Sequence, residues 1–336
     1  MTAQGAAGRE RRVGLVLVLV SAAAFGSLAV LGKQAYAGGL GVAELLALRF
    51  ALAAPLLWLL AAATRRRLAL PPAAAARLLG MGAVGYALQA ILFFSALTRI
   101  SAGLTGLLLY LYPALVTAGA ALLGRNRLDR ATLLGLGLAL AGTLLVLGVP
   151  GERLDPLGVA LGLAAACWYS GYILVGEQLL HGVDPLVAAA YVVSGAALSF
   201  AVGGAAFGRL GFHHARPAGL AAAGGVAVLG TALAIAAFLA GLARIGSTWA
   251  AIGSSLEPVV TVALGVGFLG EPLGPRKVAG GAAVVAGAVL LPLLGGGGAV
   301  PSRRSPPATA DDVDDAGTPV VSSQGKRAPI RGSTHR

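Results

Sequence analysis

Ten long apolar runs constrain this chain more than any other feature. Each is close to the length of about 20 apolar residues that an α-helix needs to cross a bilayer. The runs cover residues 13–32, 43–63, 73–97, 103–123, 131–149, 157–180, 186–207, 217–242, 248–269 and 277–294. Charged residues make up only 11% of the chain, against about 25% in a soluble domain. The sequence therefore predicts an integral membrane protein.

The predicted spans are helices rather than barrel strands. Strands of a membrane barrel read as segments of about 10 residues with alternating polarity, and residues 133–147 show no alternation. In lipid every backbone N–H and C=O group needs an internal partner, which a helix supplies. We therefore expect an all-α integral membrane protein with ten transmembrane helices.

The chain is basic, with a formal net charge of +12. A basic protein can bind nucleic acid, but here the basic residues stand in short loops between spans, as Arg65–Arg67 do. Such loops are typical of the cytoplasmic side of membrane proteins. We expect contact with the lipid bilayer and none with nucleic acid.

The two ends of the chain differ from its centre. Residues 1–12 form a short basic lead, and residues 295–336 are rich in Pro, Ser and Asp, which predicts a disordered tail. The first apolar run also resembles a secretory signal, with Ala22–Ala24 as a cleavage site. Because the run continues to Leu31, we interpret it as a retained span.

An internal repeat organises the apolar part of the chain. A shift of 145 residues places Arg99 on Arg244 and Pro113 on Pro258. The same shift superposes Leu128 and Leu273, Gly135 and Gly280, and Gly142 and Gly287. The sequence therefore predicts two similar halves that follow each other along the chain.

The halves are two five-helix repeats, residues 13–149 and 157–294. Because five is odd, two consecutive copies must cross the membrane in opposite senses. Such inverted repeats are common in secondary transporters, whose substrate site lies near the midplane between the halves.

Several motifs resemble a known family. The first repeat has residues 94–104 (FSALTRISAGL) and 109–113 (LYLYP), and the second has 241–247 (GLARIGS), 256–258 (LEP), 270–272 (GEP) and the stretch 280–287. Over roughly residues 13–294 the chain resembles the EamA-type exporters of the drug/metabolite transporter superfamily. The resemblance implies ten helices, a central cavity and efflux of small metabolites or drugs. Arg125-Asn126 stands where the first half of the family usually has Gly-Glu, a site that we interpret as structural.

Charge bias gives a conflicting orientation. With the N-terminus in the cytoplasm, the basic residues of the first repeat that fall inside are Arg9, Arg11, Arg12, Arg65, Arg66, Arg67, Arg77, Arg125, Arg127 and Arg130. The second repeat would place outside Arg153, Arg209, Arg216, Arg276 and Lys277. Because first helices usually set topology, we expect a multi-pass protein of the plasma or inner membrane with both termini in the cytoplasm.

Glu257 is the first candidate for function, because it lies deep in the ninth predicted span. Ionisable groups at that depth are costly and indicate function. Such a carboxyl can exchange a proton or meet a cationic group of a solute. Pro258 cannot donate to the carbonyl of Ser254, so Ser254 and Ser255 should lie beside opened backbone. A second reading stays open, in which a neutral glutamate only satisfies the hydrogen bonds of the kink.

Further candidates lie at similar depth. Pro113 occupies the position of Pro258 in the first repeat, and paired kinks point to a midplane site, to which Tyr112 would contribute its hydroxyl. Trp168 and Tyr172 are four residues apart and share a helical face, as an aromatic cavity wall would require. Arg49 lies more than a turn inside the second span and needs a carboxylate, a carbonyl or a water-filled cavity. Helix packing alone would also explain the prolines and aromatic residues.

No cofactor or metal site is expected. Residues 80–85 match G-x-G-x-x-G but lie inside a span with no preceding strand, and the chain lacks a P-loop. His213 and His214 stand in a loop without zinc-ligand spacing, and the single cysteine, Cys167, lies in a span.

The sequence therefore predicts a secondary exporter of a small organic solute that works by alternating access, with Glu257 as the coupling or recognition group and protons as a candidate coupling ion. No pattern indicates an oligomeric state. Two other functions stay open. A non-transporting membrane scaffold would tolerate neutral replacements of the deep polar groups, and a membrane-embedded enzyme would need a clustered nucleophile, base or metal set.

Overall fold

A computed structural model describes residues 3–124, 130–147, 154–179, 182–208 and 210–294. Within these ranges the ordered elements are helices and no strand occurs, which confirms the predicted all-α class. The α-helices are α1 (Ala3–Gly26), α2 (Leu28–Ala37), α3 (Val42–Ala63), α4 (Pro72–Gly80), α5 (Ala87–Leu97), α6 (Ala102–Leu109), α7 (Tyr112–Leu122), α8 (Arg130–Leu147), α9 (Pro156–Leu179), α10 (Pro185–Ala206), α11 (Pro217–Ala227), α12 (Ala234–Ser254), α13 (Leu256–Leu269) and α14 (Pro275–Leu294). A first π-helical segment, Met81–Tyr86, joins α4 to α5, and a second, Val228–Leu233, joins α11 to α12.

Eight stretches of the described chain are long and apolar enough to cross a bilayer. They are Arg9–Ala37, Val42–Ala63, Pro72–Leu97, Ala102–Leu122, Pro156–Gly176, Pro185–Ala206, Pro217–Gly246 and Ile252–Leu269. The predicted spans 131–149 and 277–294 correspond to α8 and α14, for which the described residues do not establish a crossing. The count of ten crossings therefore stays a prediction.

The fourth and ninth predicted spans break at corresponding positions. α6 and α7 are separated at residues 110–111, and α12 and α13 are separated at Ser255. Pro113 and Pro258 each stand in the first turn of the helix that follows the break. Proline fits there, because the first-turn N–H groups of a helix have no intrahelical partner.

α8 and α14 pack closely through two glycine pairs. A methyl group added to Gly142 would lie 2.5 Å from the carbonyl oxygen of Gly280, and one added to Gly287 would lie 2.5 Å from that of Gly135. The pairing is antiparallel, because the earlier glycine of one helix meets the later glycine of the other. Since a shift of 145 residues exchanges the two helices, this is the two-fold arrangement expected of an inverted repeat.

Two ion pairs consist of residues that the shift of 145 residues makes equivalent. Nη1 of Arg99 lies 2.8 Å from Oδ2 of Asp155, and Nε of Arg244 lies 3.2 Å from Oε2 of Glu10. The shift of 145 residues places Arg99 on Arg244 and Glu10 on Asp155. Each pair therefore joins one repeat to the residues just before the other, and the four residues are equivalent under the shift. All four side chains are at least one-third exposed, so their effect on the free energy of unfolding should be small.

The largest buried cluster lies among α2, α3, α5, α10 and α11. Its bulkiest fully buried side chains are Phe50, Phe94, Leu45, Leu46, Leu57 and Leu97. α10 lies directly on the first π segment, because a Cβ atom at Gly82 would collide with the carbonyl of Val192. This close packing holds the π segment beside the cavity described next.

Candidate functional site

A central cavity of about 400 Å³ lies among helices of both repeats. The first repeat contributes α1 to α3, the first π segment and the helices α5 to α7, and the second contributes α9, α10, α12 and α13. Its polar and ionisable lining side chains are Arg49, Tyr86, Gln89, Tyr110, Tyr112, Tyr169, Tyr172, Ser254, Glu257 and Thr261.

Glu257 enters the cavity from the first turn of α13, directly after the break. The backbone around it is tightly held, because Oγ1 of Thr261 donates to the carbonyl oxygens of both Glu257 and Gly26 at 3.0 Å. Gly26 has no room for a side chain, since a Cβ atom there would lie 2.8 Å from the carbonyl oxygen of Glu257. Contacts with α1 and within α13 thus fix the backbone position from which the Glu257 side chain extends into the cavity.

Five of the seven tyrosines form a continuous chain of ring contacts. In order, the centroid distances are 5.8 Å from Tyr110 to Tyr112, 4.9 Å to Tyr169, 6.0 Å to Tyr172 and 6.1 Å to Tyr86. The end at Tyr110 and Tyr112 lies within electrostatic range of Glu257. The other end, Tyr86, accepts a hydrogen bond from Arg49. The chain therefore forms an aromatic wall between the two ionisable groups of the cavity.

Arg49 is the cationic group of this wall, and only 3% of it is exposed. Its Nε donates to Oγ1 of Thr231 and its Nη2 to the hydroxyl of Tyr86, each at 2.9 Å. The guanidinium carbon lies 4.9 Å from the ring of Phe50 and 5.3 Å from that of Phe94. None of the ion pairs found among the described residues includes Arg49. Hydroxyls and ring faces therefore hold this buried charge in the described part of the chain.

Tyr110 and Ser255 occupy equivalent positions of the two repeats, and their side chains are hydrogen-bonded to each other. Ser255 is buried behind this contact and does not line the central cavity, whereas Ser254 does. The bond joins the two helix breaks, so that the kinks of the two repeats lie against each other.

Trp168 lies outside the central cavity, although we expected it at the same site as Glu257 and Arg49. Its Nε1 donates to the carbonyl of Gly85 at 2.8 Å, and 38% of the residue is exposed. It belongs instead to a second hollow between α9 and the first π segment, which we name the lateral groove. The groove is lined chiefly by Gly80, Val84, Cys167, Trp168, Gly171 and Val175. α9 turns Tyr169, rather than Trp168, toward the central cavity.

Glu271 of the second repeat is hydrogen-bonded to the backbone of the first repeat. Its carboxylate accepts hydrogen bonds from the backbone N–H groups of Ala102 and Gly103 at the start of α6. Nζ of Lys277, whose side chain is fully buried, lies 3.4 Å from the same carboxylate. Glu271 thus caps a helix that lines the cavity. The equivalent pair in the first repeat, Arg125-Asn126, lies outside the described residues.

The structure brings most of the predicted site residues to one cavity. Those that line it are Arg49, Tyr112, Tyr172, Ser254, Glu257 and Pro258. Trp168, Ser255 and Pro113 do not line it. Tyr169 and Thr261 were not predicted. Tyr169 stands three residues before Tyr172, which places both on one face of a helix, and this spacing was the available signal.

Known transporters resemble this chain in sequence. The family model described as the EamA-like transporter family matches residues 12–148 and 156–293. The uncharacterized transporter YcbK of Bacillus subtilis (strain 168) is 29% identical over 288 residues, which cover 81% of this chain and 90% of that protein. A solved structure described only as "Crystal structure of protein" has a TM-score of 0.62 at 21% identity, over 84% of this chain and 97% of its own. That likeness shows a shared fold.

Proposed function

The chain belongs to the EamA-like transporter family, and we propose that it exports a small organic solute by alternating access, coupled to protons. The family and the transporter relative make it a membrane transporter. The observation that carries the finer proposal is the central cavity between the repeats, with a carboxyl group at a helix break on one side and a buried guanidinium on the other.

Glu257 is the proposed coupling group. A low-dielectric cavity solvates the charged carboxylate poorly, so a bound proton or a cationic group of the solute would compensate its charge. Glu257 also stands in the first turn of α13, where the helix dipole stabilises a negatively charged side chain. Broken helices of this kind hold the ion and substrate sites of many secondary transporters.

Arg49 and the tyrosine wall are the proposed recognition surface. Arg49 lines the cavity and has no ion-pair partner among the described residues, so an anionic group of the solute would compensate its charge. Tyr112 and Tyr172 offer ring faces and hydroxyls, and Ser254 offers a further hydroxyl beside the break. This combination suits a solute with an apolar or aromatic body and at least one charged group.

The two equivalent ion pairs support alternating access. Arg99 follows the third predicted span and Arg244 ends the eighth. Arg99 would thus follow three crossings and Arg244 eight. Because three is odd and eight is even, the Arg99–Asp155 and Arg244–Glu10 pairs would lie at opposite faces of the membrane. Because each pair joins one repeat to the residues just before the other, breaking one would release one face while the other stayed closed.

The test is transport in proteoliposomes of a panel of radiolabelled amino acids and drugs, with and without an imposed pH gradient. The wild-type protein should move at least one solute in a gradient-dependent way, and Glu257→Gln should abolish that dependence. If Glu257→Gln keeps full gradient dependence, the coupling role is wrong. If folded wild-type protein transports no solute of the panel, the result would favour a non-transporting membrane scaffold instead.

Asp155→Asn is the comparison variant, because it removes a carboxylate from a contact outside the spans and so tests the loss of that contact rather than of the coupling group. A hydrogen bond from the backbone N–H of Gly158 and the adjacent Arg99 guanidinium hold the pKa of Asp155 below its ordinary value. A lowered pKa keeps the carboxylate charged at every pH above about 4, so any stability from the pair is lost only as pH falls below that value. Asp155→Asn should therefore retain the gradient dependence, whatever its effect on the rate.

A further inference from the structure

The lateral groove opens on the face of the bundle that lies toward lipid. It has a volume of about 420 Å³ and is bounded by the first π segment and α9. Val175 is 54% exposed and stands one residue before the end of its span, whereas Val84 is 63% exposed and stands near the middle of its span. An exposed apolar side chain at that depth faces hydrocarbon. The groove therefore runs along exposed apolar surface from the middle of the third predicted span toward the end of the sixth.

Glycines make room for the groove. A Cβ atom added to Gly80 or Gly171 would have no atom within 4 Å, so both positions are open toward the groove. At Gly85 the added atom would instead lie 2.7 Å from the ring of Tyr172. The missing side chain at Gly85 is what lets that ring lie against the π segment.

Two residues separate the groove from the central cavity. Met81 and Tyr172 line both hollows, and no other residue does so among those described. Met81 is an unbranched side chain that adapts its shape easily. Tyr172 contacts its aromatic neighbours at centroid distances of 6.0 and 6.1 Å, toward the long end of ring contacts. Met81 and Tyr172 are therefore the side chains that would have to move to join groove and cavity.

A hydrogen bond between α9 and the first π segment stabilises the rim of the groove. A π segment changes the register of backbone bonding, and Trp168 donates its indole N–H to the carbonyl of Gly85 within that segment. An unsatisfied carbonyl that faces hydrocarbon is energetically unfavourable. This bond therefore pins α9 to the π segment at the edge of the opening.

We propose that the lateral groove is a membrane-side entrance, through which an amphiphile dissolved in the bilayer passes between the lipid and the central cavity. The proposal rests on the proposed transport function and narrows its substrate class. The solute is an amphiphile with a hydrocarbon body, which fits the groove, and an acidic group, which Arg49 receives inside. Met81 and Tyr172 form the inner wall that moves as it passes.

The test uses a diazirine-bearing long-chain carboxylic acid in proteoliposomes of the full chain, followed by photolysis and peptide mass spectrometry. In the wild type, adducts should form at Val84 or Val175 in the groove and at Phe93 or Phe238, which line the central cavity alone. Gly171→Leu fills the groove and should abolish the cavity adducts. Gly267→Leu is the matched control, because that exposed glycine on α13 also has no atom near an added Cβ, and it should keep them.

Two results would overturn the proposal. Cavity adducts that survive in Gly171→Leu would show entry from the water, and wild-type adducts confined to the groove would show a lipid contact without passage. Neither result depends on a pH gradient, so failure here is distinguishable from failure of the transport proposal.

A second block of the groove avoids any dependence on the folding of the variant. Cys167 is the single cysteine of the chain, is exposed and lines the groove. Alkylation of folded wild-type protein with N-phenylmaleimide should abolish the cavity adducts, while Cys167→Ser treated in the same way should keep them. Equal cavity labelling before and after alkylation would contradict the entrance.

Discussion

Arg49 donates a hydrogen bond of 2.9 Å from its Nε to Oγ1 of Thr231, across 182 residues of sequence. Thr231 lies in the second π segment, and its hydroxyl donates in turn to the carbonyl of Val226 at 2.9 Å. The other bond of Arg49 reaches Tyr86, the last residue of the first π segment. One buried side chain therefore connects the π segments of the two repeats.

Thr231→Ala should lower the stability of the protein. The change leaves Nε of the buried guanidinium without its acceptor, at a cost of about 1–3 kcal/mol, while Thr231→Ser keeps the hydroxyl and should stay close to the wild type. Thermal unfolding in detergent, followed by size-exclusion chromatography, measures the difference. Equal unfolding temperatures for the two variants would show that the bond contributes nothing.

The ion pairs Arg99–Asp155 and Arg244–Glu10 should control access to the cavity from opposite faces. In a Cys167→Ser background that carries Ser254→Cys, a membrane-impermeant maleimide reports access from each side of uniformly oriented vesicles. Arg99→Gln should increase labelling from one side, and Arg244→Gln from the other, because each change breaks one of the two ion pairs.

The control for charge alone is Arg67→Gln. Arg67 is exposed and belongs to none of the ion pairs found in the described chain, so its loss should leave both labelling rates unchanged. The access assignment fails if Arg99→Gln and Arg244→Gln increase labelling from the same side.

Glu271 and Lys277 should show strong energetic coupling. Glu271→Gln removes the carboxylate beside the fully buried Lys277, whose Nζ also lies 3.4 Å from the carbonyl oxygen of Pro272, and should lower the free energy of unfolding. Lys277→Met removes the cation while the carboxylate keeps its two backbone donors at the start of α6, so it should cost less. The double variant should be more stable than the sum of the single effects predicts. Additive changes in unfolding free energy would contradict the coupling.

Gly142→Ala should destabilise the contact between α8 and α14. The added methyl group would lie 2.5 Å from the carbonyl oxygen of Gly280 and 2.8 Å from the backbone nitrogen of Val284, and such overpacking costs about 1–3 kcal/mol. Gly137→Ala on the same helix meets no atom within 4 Å and should be neutral or slightly stabilising. Unfolding temperatures of the two variants measure the difference, and equal temperatures for Gly142→Ala and Gly137→Ala would show that the close contact with α14 is not responsible.

Part of the site could be predicted because polar groups are rare inside apolar spans. Glu257, Arg49 and Tyr112 stand out for that reason, and the repeat showed that Pro113 and Pro258 are equivalent. The inward face of α9 could not be predicted in the same way. A span that is apolar on every side has no amphipathic period to mark its buried face, so Trp168 was assigned to the cavity and Tyr169 was not.

The partners of Arg49 also lay beyond sequence reasoning. Nothing in residues 81–86 or 228–233 marks a π segment, yet the changed register decides where Tyr86 and Thr231 lie. Lys277 shows the opposite difficulty. It was counted among loop charges in the orientation argument, whereas its side chain is fully buried beside Glu271. A charge that is neutralised inside the fold is a poor guide to topology, and the orientation of the second repeat stays a prediction.

The glycine pairs between α8 and α14 carry a consequence for how such a chain can arise and diverge. Gly135 meets Gly287 and Gly142 meets Gly280, so a dimer of one half-length ancestor, inserted in both directions, would form the same two contacts from only two glycine codons. In that ancestor a single mutation would strike both contacts together. After duplication and fusion the four glycine codons mutate independently. One repeat can then diverge in function while the other keeps its glycines at the α8–α14 contact.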